Sequence, residues 1–217
     1  MPLDQLLLFI AAGLLLNLTP GPDVLYIVGQ ALRSGVRAGM VAAVGITAGC
    51  FVHIFAAAVG VSALMAASAT AFALLKWAGA AYLVFLGWRM LAPGAAGWAK
   101  GGWQAVDAQA PALPYRLVFL RGFFTNALNP KVALFFLAFV PQFIAPDIEN
   151  KPLAFFLLGL LFNVNALWVN CAWAAVAAQV ARRSVRVQHS LRWIDRLAGA
   201  LFVGFGIKLA LSAAPQA

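Results

Sequence analysis

The segment that decides the fold lies near the N-terminus, where residues 13–23 read GLLLNLTPGPD. Two prolines and a glycine, Pro20, Gly21 and Pro22, interrupt an apolar run. Proline lacks a backbone N–H and is tolerated in the first turn of a helix. We therefore expect a break at Gly21 and a new helix that begins at Pro22. In lipid, the carbonyls freed by such a break are tolerated only where protein or a watery cavity satisfies them.

The composition of the whole chain indicates a membrane protein. Of its 217 residues, 64% are hydrophobic and only 10% are charged, and the mean hydropathy is +0.92. Soluble domains are about 45–50% apolar and about 25% charged. These values exclude a soluble enzyme, a disordered tail and a secreted disulfide scaffold. Cys50 and Cys171 both fall in apolar runs, and we interpret them as small buried hydrophobes.

The apolar runs predict an all-α membrane protein with six transmembrane helices in one domain, residues 1–217. The predicted spans are 4–31, 40–66, 70–91, 117–144, 153–180 and 193–213. A stretch rich in Gly, Ala and Pro at 92–116 is interpreted as a cytoplasmic linker. It separates a first repeat at about 1–91 from a second at about 117–217.

The two halves share a short pattern. Each carries a glycine, an asparagine and a proline in this order, namely Gly13, Asn17 and Pro20 in the first half and Gly122, Asn126 and Pro130 in the second. Because each half has an odd number of spans, a duplicated half would insert upside down. The sequence therefore predicts two inverted three-helix repeats, with spans one and four broken at proline, as in many secondary transporters.

The basic residues lie mainly on alternate loops. Eleven of the fifteen Lys and Arg residues fall in the segments 33–37, 89–121 and 182–196, and three fall on the other side. Cytoplasmic loops of membrane proteins carry an excess of Lys and Arg. We therefore expect these loops in the cytoplasm and both termini outside. The net charge of +9 is explained by this topology and not by nucleic-acid binding.

Asp23 is the first candidate for a functional residue. It would lie in the first turn of the helix that begins at Pro22, beside the positive end of the helix dipole. Free N–H groups there suit a substrate carboxylate, whereas Asp23 suits an amino group or a coupling proton. An aspartate within a span is costly and is a functional candidate by default. The alternative is a proline kink that serves packing, with Asp23 hydrated near the interface.

The second candidate segment is Asn126–Lys131, in the other half. Asn129 suits an N-cap and Pro130 suits the position after it. Lys131 falls near the centre of span four and needs a partner, for which Asp23 is the natural candidate. Our hypothesis is that Asp23 and Lys131 pair, or exchange partners, during transport. The alternative is a static pair that holds the halves together.

Four further polar residues fall inside spans. Asn163 and Asn170 are seven positions apart and share one helix face, whereas Asn165 points elsewhere. They fit either hydrogen bonds between helices or a transport pathway. His53 fits either a buried neutral histidine with one hydrogen bond to another helix or a proton relay.

Catalytic and cofactor motifs are lacking in the sequence. It holds no nucleophile elbow, metalloprotease helix, phosphate loop or dinucleotide fingerprint. We predict no enzyme, no cofactor and no metal site. The pair Gly45 and Gly49 predicts close packing of helices. The expected partners are a small molecule, protons and membrane lipid, without nucleic acid, and a homo-oligomer is left open.

Three segments resemble the LysE/RhtB family of amino-acid exporters, namely LTPGPDVLYIVGQALRSGVRAGMVAAVGITAG, KWAGAAYLVFLGWRML and FLRGFFTNALNPKVALFFLAFVPQF. The resemblance implies secondary active export of amino acids from the bacterial cytoplasm through the inner membrane, by proton antiport. Neutral amino acids such as homoserine, threonine or branched-chain ones are expected. The resemblance also implies functional roles for Pro20–Asp23 and Asn129–Lys131. The alternatives are a non-transport scaffold or subunit and an exporter of another small solute.

Overall fold

The structure is a computed structural model that describes residues 1–91, 112–145 and 148–180, and also positions 200, 203, 204, 206, 207, 210 and 211. These residues form helices and connections, without a strand. The helices are α1 (Leu3–Leu18), α2 (Pro22–Ala56), α3 (Ser62–Ala67), α4 (Ala69–Leu91), α5 (Tyr115–Ala127), α6 (Pro130–Leu134) and α7 (Lys151–Val180). The all-helical prediction is confirmed for this part of the chain.

The first predicted break is present. Helix α1 ends at Leu18 and α2 begins at Pro22, with Gly21 as its N-cap in extended conformation. Helix α1 has 16 residues and is about 24 Å long, which is less than the roughly 30 Å of a hydrocarbon core. It can therefore reach across a membrane only together with the first part of α2.

The predicted loop between spans one and two is instead a kink. Helix α2 continues from Pro22 to Ala56, and inside it only Gly35 departs from helical geometry, with φ of +81°. Glycine reaches this conformation without the steric clash that a Cβ introduces. A single glycine thus kinks the helix where the hydropathy pattern predicts a separate loop over 32–39. Beyond α2, a π-helical turn, Ala57–Val61, leads into α3.

The second predicted break is also present. Helix α5 ends at Ala127, and α6 begins at Pro130 with Asn129 as its N-cap. The chain continues through a π-helical turn, Phe135–Phe139, and a 3₁₀ turn, Val140–Phe143. The two arms of this broken helix are bent by 44° relative to each other.

Length and hydropathy identify helices that can cross a membrane. Within the described residues, Pro22–Leu64 and Lys151–Gln179 each meet this criterion, and the bent pair Tyr115–Ala127 and Pro130–Phe143 makes a third span if it is counted as one. Large apolar side chains on α2 are exposed on one side of the helix, among them Val44, Val52 and Phe55. Such a surface is suited to contact with lipid.

Glycines bring α2 and α5 into close backbone contact. A Cβ at Gly45 would meet the carbonyl of Phe119, and one at Gly49 would meet the carbonyl of Phe123. From the other side, a Cβ at Gly122 would lie 2.8 Å from the carbonyl oxygen of Ala42. The prediction that Gly45 and Gly49 serve helix packing is confirmed, since only residues without a Cβ allow this approach.

Two apolar clusters form the core. The first, called here the α1-side cluster, includes Phe9, Leu16, Phe135 and Phe162, with ring centroids of Phe135 and Phe162 4.7 Å apart. The second, called here the Gly35-side cluster, includes Val24, Ile27, Ile46, Val118 and Trp173. They lie along different parts of α7, which contributes residues 155–166 to the first cluster and residues 173–177 to the second.

The last predicted span, 193–213, lies mostly outside the described residues. The seven described positions in it are all helical, and a Cβ at Gly206 would lie 2.8 Å from the carbonyl oxygen of Ala80 on α4. The predicted linker 92–116 falls largely on residues that the structure does not describe. The prediction of six spans and of inverted repeats therefore stays a prediction.

Candidate functional site

The two helix breaks meet around the carboxylate of Asp23. Asp23 is buried in the first turn of α2, where the helix dipole favours a negative charge. Its Oδ2 accepts one hydrogen bond from Asn126 Nδ2 and another from Asn129 Nδ2, each of 2.9 Å. Residues on both sides of the second break thus donate to an acid at the first.

Lys131 makes the reciprocal contact. Its Nζ donates to the carbonyl oxygen of Leu16 at 3.0 Å and to that of Thr19 at 3.1 Å. Both carbonyls lie at the end of α1, where the break removes their helical partners. A Cβ at Gly21 would lie 3.2 Å from Lys131 Nζ, so the glycine leaves space for the ammonium group. The charge of Lys131 also acts on Asp23, and the predicted exchange of partners between them stays a prediction.

Asn129 connects the helix break to the acid. Its Oδ1 accepts a hydrogen bond of 3.0 Å from the backbone N–H of Lys131, which is the predicted N-cap interaction, and Pro130 follows it as predicted. Because Oδ1 is used in this way, Nδ2 is directed to Asp23. The cap therefore fixes the orientation of one donor to the carboxylate.

His53 binds the main chain of the second break. Its Nε2 lies 2.8 Å from the carbonyl oxygen of Asn126, and both residues are buried. This geometry agrees with the interpretation as a buried neutral histidine with one hydrogen bond to another helix, which stays a prediction. His53 also acts electrostatically on Asp23, so the relay alternative stays open.

A small cavity of about 20 Å³ lies at the junction of the two apolar clusters. This volume is enough for about one water molecule. Its lining includes half of the residues that the sequence singles out, namely Asn17, Asp23, Asn126, Lys131, Asn163 and Asn170. Asn163 and Asn170 share the face that looks into the cavity, as predicted. Asn163 Nδ2 also donates to the carbonyl of Thr47 on α2 at 3.1 Å, so it bonds between helices as well.

The cavity wall carries polar atoms without a protein partner. They are Asn17 Nδ2, Asp23 Oδ1, Asn126 Oδ1 and Asn163 Oδ1, all buried. Leaving a buried polar atom unpaired costs about 1–3 kcal/mol. Such a set of atoms is therefore suited to a polar ligand. Among the described residues, no group of three or more His, Cys, Asp or Glu side chains is placed to hold a metal ion.

Two polar or polarisable lining residues, Thr47 and Cys50, were not among the candidates from the sequence. Thr47 offers its carbonyl to Asn163, and Cys50, interpreted as a buried hydrophobe, forms part of the wall. Both lie on the face of α2 that carries His53, at intervals of three residues. This spacing of polar and polarisable residues along an apolar helix is the signal that could have found them.

The fold and the site define a class of protein. Broken helices that meet at a buried acid and a partly buried base, inside an apolar bundle, are typical of membrane proteins that move small solutes. The sequence profile of the LysE type translocator family matches residues 14–213. The chain therefore belongs to this family, and it is a membrane translocator and not an enzyme.

Individual relatives align over nearly the whole chain. An uncharacterized membrane protein of Vibrio cholerae is 31% identical over 211 residues, covering 96% of this chain and 97% of its own. A homoserine/homoserine lactone efflux protein of Salmonella typhimurium is 29% identical, with 93% and 94% covered. A leucine efflux protein of Klebsiella pneumoniae is 28% identical, with 94% and 93% covered. No solved structure matches the chain.

Proposed function

We propose that this protein is a secondary active exporter of amino acids in the bacterial inner membrane. The observation that carries the proposal is the meeting of two helix breaks, one from each half of the chain, around Asp23 and Lys131. Membership of the translocator family and relatives named as efflux proteins for homoserine and leucine support it.

The charges at the site favour neutral amino acids, such as homoserine, threonine or branched-chain ones. The cavity wall carries one acid, Asp23, and one base, Lys131. A zwitterion matches one charge of each sign, whereas a basic or acidic side chain would bring a second charge without a counterpart in this wall. A buried charge without a partner is strongly unfavourable. The apolar residues Ile46, Val132 and Phe162 complete the wall and suit an aliphatic side chain.

The two apolar clusters would serve as gates on the two sides of the site. A cavity of about 20 Å³ is far too small for an amino acid, so transport requires one cluster to open at a time. The Gly35-side cluster lies towards Arg33 and Arg37, the basic pair beside the kink. The positive-inside rule assigns that end to the cytoplasm. The α1-side cluster is then the outer gate, and both termini are outside, in a bundle of six spans arranged as inverted repeats.

Asp23 is our candidate for the proton carrier in antiport. It is buried, and it belongs to the cavity wall that would hold the substrate. Protonation would remove the negative charge that an amino group requires, so a proton and a substrate would compete for the same carboxylate. Competition of this kind couples export of one to entry of the other. In this scheme Lys131 stabilises the charged carboxylate after the substrate has left.

Efflux from loaded cells tests the proposal. Cells fed with dipeptides accumulate amino acids, and export of all twenty plus homoserine is then followed for the intact protein, Asp23→Asn and an empty vector. We expect faster efflux of a small neutral set, lost in Asp23→Asn. The matched control is Asp4→Asn, because Asp4 is exposed at the start of α1, and it should export at the normal rate.

Two results would contradict the proposal. Efflux that is unchanged in Asp23→Asn would remove Asp23 from the mechanism. Equal export by the intact protein and the empty vector would remove amino acids as substrates. The exchange of partners is tested separately with Lys131→Gln and the double variant, since independent effects of the two substitutions on the transport rate would show that the residues do not interact.

A further inference from the structure

The cavity contains three buried acceptor oxygens that have no hydrogen-bond donor. They are Asp23 Oδ1, Asn126 Oδ1 and Asn163 Oδ1, on three different helices. The three side chains are 8%, 4% and 2% exposed, respectively, so bulk water does not reach these atoms freely. The wall thus holds three acceptor oxygens without a donor, together with one donor without an acceptor, Asn17 Nδ2.

Hydrogen bonds determine which end of each of the two amide groups is the nitrogen and which is the oxygen. Asn126 Nδ2 donates to Asp23 Oδ2, and Asn163 Nδ2 donates to the carbonyl of Thr47. A carboxylate and a carbonyl oxygen only accept hydrogen bonds, so turning either amide would place two acceptors against each other. The partners of the two Nδ2 atoms therefore decide which atom of each amide is the oxygen, and both oxygens remain available as acceptors.

The number of acceptors and the size of the cavity favour one type of ligand group. A water molecule donates two hydrogen bonds and can pair two of the three acceptors, so the third would need Asn17 Nδ2, the unpaired donor of the same wall. A primary ammonium group donates three, carries the charge that complements Asp23, and is close to water in size. A cavity of about 20 Å³ accommodates a group of that size.

We propose that Asp23, Asn126 and Asn163 form a subsite for the primary ammonium group of the substrate, with Asn163 as the residue that completes the third contact. The inference rests on the proposed function and deepens it. It predicts that the protein selects for the amine of its substrate, and that the side chain and carboxylate contribute less to recognition at this point.

Three probes with one carbon skeleton separate the parts of the substrate. L-Leucine has an amine and a carboxylate, L-leucinol has only the amine, and 2-hydroxyisocaproate has only the carboxylate. Binding to the purified protein in detergent is measured by calorimetry. We expect leucine and leucinol to bind and the hydroxy acid to bind at least a hundredfold more weakly, because sites built to hydrogen-bond a group strongly reject analogues that lack it.

Asn163→Leu tests the third acceptor. The loss of one hydrogen bond to a charged group should weaken amine binding by roughly ten- to a hundredfold. Binding of the hydroxy acid should not change, so the ratio of the two affinities falls, which a purely structural defect would not produce. Asn165→Leu, on the same helix and absent from the cavity wall, is the matched control. Asn163→Ser, which keeps an acceptor, serves if the leucine variant does not fold.

Different results would contradict the ammonium subsite and the proposed export function. Equal binding of leucine and the hydroxy acid, an unchanged ratio in Asn163→Leu, or no binding by either amine would overturn the ammonium subsite. The cellular efflux assay judges the exporter independently, since export that persists without amine selection leaves the proposed function standing.

Discussion

The substitution Gly122→Ala should impair transport, although Gly122 lies one helical turn away from Asn126, which binds Asp23. A Cβ there would lie 2.8 Å from the carbonyl oxygen of Ala42 and 3.3 Å from the backbone nitrogen of Ile46. Both atoms belong to the main chain of α2, which cannot turn aside as a side chain does. Since ordinary contacts begin at 3.4 Å, α5 has to move about 0.6 Å away from α2 in Gly122→Ala.

The displacement acts on Asn126, which lies four residues further along the same face of α5. Its Nδ2 is 2.9 Å from Asp23 Oδ2 and its carbonyl oxygen is 2.8 Å from His53 Nε2, and both partners lie on α2. A rigid shift of α5 would lengthen these contacts to about 3.5 and 3.4 Å, beyond the normal range of hydrogen bonds. Overpacking of this kind also costs about 1–3 kcal/mol of stability.

Efflux and thermal unfolding measure the two effects together. Loss of a hydrogen bond to the charged Asp23 should lower efflux by about tenfold or more. The control is Gly60→Ala, because no atom lies within 4 Å of a Cβ at Gly60. If Gly122→Ala exports and unfolds like the intact protein, then either α5 does not shift or the hydrogen bonds of Asn126 are not required, and the reasoning is refuted.

Three further changes test single features. Gly35→Ala places a Cβ on a residue with φ of +81° and should lower the midpoint of thermal unfolding, at a cost of about 1–3 kcal/mol; an unchanged midpoint would show that α2 does not need this kink. Asn129→Ala removes both the helix cap and a donor to Asp23, so it should lower the unfolding midpoint and the transport rate. Asn129→Ser should regain the stability that the cap provides, about 1 kcal/mol, but not the transport rate. If Asn129→Ser recovers both, the main role of Asn129 is to cap the helix. Lys131→Met leaves two carbonyls at the end of α1 without this donor. It should therefore unfold at a lower temperature than Lys131→Gln, which keeps a donor. Equal unfolding midpoints of the two variants would contradict the role of Lys131 as hydrogen-bond donor to these carbonyls.

The local elements of the site follow from the sequence because their causes are local. Proline removes a backbone N–H wherever it stands, so the helix starts at Pro22 and Pro130 can be predicted without a partner helix. Asn129 is a cap for the same kind of reason, and Asp23 stands out because a carboxylate is rare inside an apolar run. The composition determines the membrane as solvent, and the family motifs extend along most of the chain.

Other features depend on atoms that are distant in sequence. The sequence indicates that Lys131 needs a partner, but only the packed bundle places its Nζ on the carbonyls of Leu16 and Thr19, more than a hundred residues away. The kink at Gly35 replaces an expected loop because hydropathy averages over many residues, whereas the backbone conformation of one residue is enough to kink the helix.

The sequence by itself therefore determined that the chain is helical and apolar, where predicted spans one and four break, and which polar residues lie at those breaks. Only the tertiary structure decided that the breaks meet, that Asn126 and Asn163 line one cavity, and that this cavity has room for about one water molecule. The physical reason is that backbone breaks arise from local covalent geometry, whereas the direction of a buried amide is fixed by partners that other helices bring to it.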